Sequence, residues 1–161
     1  MSDFASCWSL SRKRLVDEIS GLSQTQLNWR VHPNSLTIGE MVLHVAGVEV
    51  LFGSQLTAMT LDEQGARLRR SATEGVVNDL PFPFEAGEIT PEVVAESLEY
   101  ASKISGPLID AADPDIREIE IKSALGPMIS GDGAFTRLGF HSAYHQGQAY
   151  LIKTSPGFPA E

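Results

Sequence analysis

Apolar residues recur along this chain at helical rather than alternating spacing, over windows longer than a strand requires, and the pattern predicts four main helices. In the first, from Asp3 to about Leu22, Phe4, Cys7, Trp8, Leu15, Ile19 and Leu22 share one stripe, with Arg12, Lys13, Asp17 and Glu18 largely away from it. Ser23 and Gln26 have capping-box spacing, so a short helical turn follows before Trp29 and the His32-Pro33 break. The second helix opens at Thr37, where Thr37-Ile38-Gly39-Glu40 repeats that spacing, and runs to about Ala58. Met41, His44, Val48 and Leu51 form one row on it, and Ile38, Val42, Val45, Phe52 and Leu56 form the row beside it.

Residues Thr60 to Ile89 show no sustained periodicity and end in Leu80-Pro81-Phe82-Pro83-Phe84, where two prolines favour extended chain. A connection this long is uncommon unless it crosses the end of a bundle or covers a site, and it allows the second and third helices to run parallel. Thr90-Pro91 is an N-cap followed by proline at the first helical position; it opens a third helix through Val94, Leu98, Ala101 and Leu108 to about Ala112, stopped by Asp113-Pro114. Ile116 to Ile129 has strand character, with Ile119 and Ile121 alternating against Glu118, Glu120 and Lys122, and Gly126-Pro127 marks the turn of a small hairpin. Ser130-Gly131-Asp132-Gly133 caps a final helix from about Ala134 to Lys153, whose inward row is Leu138, His141, His145, Gln148 and Ile152. The predicted fold class is all-α, a four-helix bundle in one domain spanning 1–161.

Charge narrows the functional classes. With 21 Asp+Glu against 12 Lys+Arg, a net charge of −9 repels phosphate backbones, and the one dense basic stretch, Arg67-Leu68-Arg69-Arg70, is too short to make a groove. Nucleic acid is therefore not an expected partner. No run approaches the roughly 18 apolar residues of a membrane span, and the N-terminal residues lack a basic-then-apolar leader pattern, so the expectation is a cytoplasmic protein. The single cysteine, Cys7, reads as a small buried hydrophobe rather than a nucleophile.

The informative residues are histidines. His141 and His145 are one helical turn apart in His141-Ser142-Ala143-Tyr144-His145, which places both rings over one surface patch, and His44 lies on an inward row of a different helix. Any one of them alone is more economically a core histidine with its own hydrogen bond. Three on inward rows each need polar partners, and a shared cation satisfies all three together. His32 precedes a proline in a loop and is given no role.

The segments Leu27-Asn28-Trp29-Arg30-Val31-His32-Pro33 and Ser35-Leu36-Thr37-Ile38-Gly39-Glu40-Met41-Val42-Leu43-His44-Val45-Ala46, with His141-Ser142-Ala143-Tyr144-His145-Gln146-Gly147-Gln148, resemble the DinB-like superfamily of bacterial four-helix-bundle proteins. That resemblance implies up-down-down-up topology, a homodimer, and a metal held by His44, His141 and His145. It also implies metal-dependent chemistry on a small-molecule substrate, as a transferase or isomerase using a low-molecular-weight thiol. Gln146 stands where relatives often carry a basic residue.

Three neutral imidazoles leave coordination positions open on a divalent ion, the arrangement of a catalytic rather than a structural site. Zinc or nickel suits such a set, with iron a further candidate, and the reaction class is thiol transfer or hydrolysis. Glu40, Glu49, Tyr144 and Gln148 are the candidates for handling a proton or a bound ligand. Against these roles, Glu40 reads as the capping-box partner, Glu49 as a rim residue or interhelical ion pair, and Tyr144 as interhelical packing. Gly139 and Gly147 suggest close helix approach, since each weakens a helix by about 1 kcal/mol relative to alanine. The alternative to an enzyme is a non-catalytic small-molecule-binding or stress-response bundle.

Overall fold

The computed structural model describes residues 2–160. Among them the chain is mostly helical, as the periodicity predicts: α1 (Asp3–Ile19), α2 (Gln24–Leu27), α3 (Ile38–Leu56), α4 (Glu63–Arg70), α5 (Pro91–Ala111), α6 (Pro114–Glu118) and α7 (Gly131–Lys153). A 3-10 turn at Ala86–Glu88 and two short strands, β1 (Glu120–Lys122) and β2 (Met128–Ser130), complete it. The helix starts follow local chemistry. Ser23 and Gln26 exchange side-chain bonds with each other's backbone N–H, and Thr37 and Glu40 do the same, Thr37 N–H donating to Glu40 Oε2 at 2.8 Å. Thr90 caps α5 with Pro91 in its first turn, and Ser130 caps α7.

The stretch between Thr60 and Ile89, expected to lack periodic structure, contains α4, capped by the Asp62 carboxylate. Leu68 is the helix's one buried large side chain, too few apolar positions for a period to be visible. What holds α4 in place is lateral. Arg67 donates Nε and Nη2 to the Pro83 carbonyl at 3.0 and 2.9 Å and lies over the Phe84 ring, so the two-proline segment is strapped to the helix. Strand character expected from Ile116 is also corrected: Asp113 caps a helical turn through Glu118, and pairing begins only at Glu120, with Ile121 opposite Ile129.

The long helices pack in pairs, α1 with α7 and with α5, α3 with α5 and with α7. Their contacts fix which ends meet. Cys7 Sγ donates to the Gly139 carbonyl and Lys153 pairs with Glu18 at 3.0 Å, so α1 and α7 share direction. Gly39 of α3 sits by Ile89 just before α5, and Gly53 by Ile104 and Leu108. Ser2 Oγ donates to the Ile109 carbonyl and Trp8 lies against Gly106, whereas Arg12 reaches Leu98. Cys7 is exposed rather than buried, at the edge of this α1–α7 contact. A Cβ on Gly139 would lie 3.4 Å from Cys7 Sγ, consistent with close approach, but one on Gly147 would meet nothing within 4 Å, so that expectation fails there.

Arg12 is the main departure on α1. It was expected away from the apolar stripe, yet it follows Trp8 by four residues and its side chain is only 11% exposed. Its guanidinium meets Glu49 of α3 at 3.0 Å and donates to the Leu98 carbonyl of α5. Trp8 Nε1 donates to Glu49 Oε1 at 3.0 Å, and Ser105 Oγ donates to Glu49 Oε2 at 3.3 Å. Burial pushes the Glu49 carboxyl upward in pKa, and Arg12, Trp8 and Ser105 oppose that shift. Removing one partner of such a buried pair strands the other charge. Arg12→Met is expected to destabilise the fold by about 3–5 kcal/mol. The double variant Arg12→Met/Glu49→Leu should recover most of that loss, read as urea midpoints at neutral pH.

Candidate metal centre

His44 comes from the middle of α3, and His141 and His145 from successive turns of α7, the helix packed beside it. The three residues each offer a nitrogen within 4.8 Å of the others. Their rings stand edge to face, with centroids 5.0 Å apart for His44 and His141, 5.2 Å for His44 and His145, and 4.7 Å for His141 and His145. The residues that the sequence singled out on two separate helices are therefore brought together.

Hydrogen bonds orient two of the rings. His44 Nδ1 lies 3.1 Å from the Ser71 carbonyl oxygen, which can only accept, so the proton sits on Nδ1 and Nε2 keeps its lone pair. His145 Nδ1 donates to Gln148 Oε1 at 2.7 Å, freeing its Nε2 in the same way. That Nε2 faces His141 Nε2 at 3.1 Å. Metal–nitrogen bonds of about 2.0–2.1 Å place two ligand nitrogens about 2.9–3.4 Å apart for octahedral to tetrahedral angles, and the observed spacing falls inside that range. His141 Nδ1 is buried with no hydrogen-bond partner. Without an ion, three inward-facing nitrogens share at most one proton between them; the donor set fits a divalent cation bound by neutral imidazoles.

Burial lowers the pKa of all three rings. For His141 burial and the neighbouring His145 and His44 bring it to about 2, and for His145 burial and His44 bring it to about 4 against the opposing bond to Gln148. His44 is lowered by burial despite its bond to Ser71. The rings are therefore neutral at physiological pH, the protonation state that metal ligation requires.

Ser71, which escapes a reading of the sequence, is held by an exact steric fit. A Cβ on Gly47, three residues after His44, would lie 2.5 Å from the Leu68 carbonyl and 2.8 Å from the Ala72 nitrogen, and would overlap Ser71 Oγ. Only glycine lets the end of α4 approach α3 this closely. Ser71 Oγ then donates to the Leu43 carbonyl at 2.8 Å, fixing the peptide whose oxygen receives the His44 proton. The visible signal is a glycine inside an apolar helix one turn beyond a histidine.

The rings open into a cavity of about 500 Å³. Val48, Phe52, Val76 and Phe140 make its apolar walls, the hairpin turn supplies Ser123 to Leu125, and Tyr144 and Gln148 face it from α7. Tyr144 is 59% exposed, so it does not pack between helices; its ring lies 5.0 Å from that of His145. Neither Glu40 nor Glu49 lines the cavity. Glu40 closes the α3 capping box and pairs with Arg30, and Glu49 is occupied by Arg12. Gln146 turns to α1, donating to Glu18 at 2.9 Å. No protein-family model matches this chain, and comparison with curated proteins finds no match.

Two consequences are open to measurement. In the unfolded chain the imidazoles titrate near the ordinary value of about 6.5, so as pH falls the unfolded state takes up protons first. The rings' contribution to stability is complete above that value and is lost progressively as pH falls through about 4 for His145 and on towards about 2 for His141. Each costs up to about 1.4 kcal/mol per pH unit in its window. Urea midpoints of chelator-treated protein between pH 7.5 and 4.5 should fall more steeply than those of a His141→Phe/His145→Leu variant. Gly47→Ala is expected to cost about 1–3 kcal/mol by the overpacking it forces.

Proposed function

We propose that this chain is a metal-dependent enzyme of the DinB-like type, with His44, His141 and His145 binding one divalent ion at the floor of a small-molecule cavity. The observation that carries the reading is the convergence of three neutral imidazoles, two of them with their outward nitrogens tied to Ser71 and Gln148. The proposed architecture is a four-helix bundle of α1, α3, α5 and α7 with up-down-down-up topology. It is supported by α1 and α7 sharing direction and by α3 and α5 meeting start to start and end to end. A homodimer belongs to the same reading.

An ion in this ligand set would act as a Lewis acid and lower the pKa of a bound water or thiol. Zinc or nickel is the proposed ion, with iron a third candidate, and the reaction is transfer of a low-molecular-weight thiol or hydrolysis of a small molecule. The chain's own residues then orient and position. Ser71 and Gln148 hold two imidazoles in one tautomer and rotation. Tyr144 presents a phenol at the mouth, and the apolar walls exclude bulk water from the reacting groups. Glu40 and Glu49 are tied up elsewhere, and among the described residues no carboxylate lines the cavity to serve as general base.

Metal content of protein made without an affinity tag tests the site. Wild type should carry about one ion per chain, and His44→Ala and His141→Ala should each lose it; equal content in all three would refute the reading. Gln148→Leu should retain the fold and weaken metal affinity about 10–100-fold, as loss of a ligand-orienting partner does.

A further inference from the structure

Among the described residues, Arg137 is the one formally charged side chain that lines the histidine cavity. It precedes His141 by four residues on α7, so it lies on the same face about 6 Å back along the axis. Its Nη1 donates to the Gly133 carbonyl at 3.0 Å, and among the described residues no carboxylate lies within ion-pair distance of it. In a chain with 21 acidic against 12 basic residues, a half-buried guanidinium left without an acidic partner is unexpected on charge alone.

A second observation lies in the hairpin. Ser123 of the hairpin lines the same cavity, is only 6% exposed, and has a buried hydroxyl with no hydrogen-bond partner. Guanidinium carries donors in a rigid fork suited to two oxygens of one anion, and apolar walls strengthen such a contact by lowering the local dielectric. Apart from any ion on the three histidines, one guanidinium matches a singly charged anion charge for charge, and a cationic ligand would find no carboxylate among the described residues that line the cavity.

We infer that the cavity takes an organic monocarboxylate with an apolar body. The carboxylate is received by Arg137, the Ser123 hydroxyl supplies a further donor on rotating towards the cavity, and the body lies along Val48, Phe52, Val76 and Phe140. This names the substrate class of the site proposed above and rests on that reading for its catalytic meaning, but the carboxylate contact itself belongs to Arg137.

The test uses 3-phenylpropanoate, 3-phenylpropanol and 3-phenylpropylamine as probes, with calorimetry on zinc-loaded and chelator-treated protein. The carboxylate is expected to bind both forms, and the alcohol and amine at least tenfold more weakly. Arg137→Gln should weaken carboxylate binding about 10–100-fold, the range for hydrogen bonds to a charged group. Arg137→Lys should recover part of the loss, and zinc titration of Arg137→Gln should match wild type. Equal carboxylate affinity in Arg137→Gln, or amine binding as tight as carboxylate binding, would overturn the inference. If Arg137→Gln does not fold, the three probes on wild type decide it. Failure of wild type to bind zinc would remove the metal reading while leaving Arg137-dependent carboxylate binding intact; normal zinc binding with no effect at Arg137 would remove only this inference.

Discussion

The structure depends on α3 being buried around its whole circumference. All of its residues except Leu51 and Gln55 are buried, a pattern that belongs to a central helix rather than a surface one. Every polar group on such a helix must find a partner inside the protein, because no side of it faces water. Glu40 is met by Thr37 and Arg30, Glu49 by Arg12, Trp8 and Ser105, and His44 by the Ser71 carbonyl and the two histidines of α7. The glycines of α3 answer the same constraint from the steric side. A Cβ on Gly39 would overlap Ile89, one on Gly47 the end of α4, and one on Gly53 would come within 2.5 Å of Ile104. Neighbouring segments thus approach α3 where it has no side chain and bond to it where its side chains are polar.

The candidate site is a by-product of this arrangement as much as an addition to it. Once α4 is pressed against Gly47, the Ser71 carbonyl is aimed at His44 and the ring has one tautomer available. Once α7 packs beside α3, the turn-to-turn spacing of His141 and His145 sets both rings against His44. The two carboxylates of α3 are drawn to structural cations away from the cavity, Glu40 to Arg30 and Glu49 to Arg12. Among the described residues the cavity consequently keeps apolar walls, neutral imidazoles and a single guanidinium, although the chain as a whole is strongly acidic.

What could be read from the sequence was whatever is encoded within one or two turns. The capping boxes at Ser23 and Thr37, the Thr90-Pro91 start and the His141–His145 spacing depend on residues three or four apart, and the structure has all of them. What escaped depends on partners far along the chain. Arg12 looked solvent-facing because the glutamate that draws it inward lies 37 positions away. The helix Glu63–Arg70 carries one buried leucine and is secured by Arg67 against Pro83 and Phe84, so no local period announces it. Ser71 acquires its role through a backbone oxygen, which no residue type reveals. Cys7, on the expected apolar stripe, sits instead at the open edge of the α1–α7 contact.

Burial also decides how a cation and a proton would compete for the cluster. One proton between His141 and His145 serves at most two of the three inward nitrogens, and adding another creates a charge that the apolar surroundings penalise; that penalty is the main reason His141 and His145 titrate so far below an exposed histidine. An ion shared by three rings meets the same penalty but gains three coordinate bonds and uses lone pairs already turned inward by Ser71 and Gln148. At neutral pH protons would then compete only weakly with an ion, since burial holds all three rings neutral there. A structural histidine cluster would have no need of this arrangement: each neutral ring would be cheaper to bury with one acceptor for its N–H and one donor for its lone pair, and His141 Nδ1 has no partner of either kind.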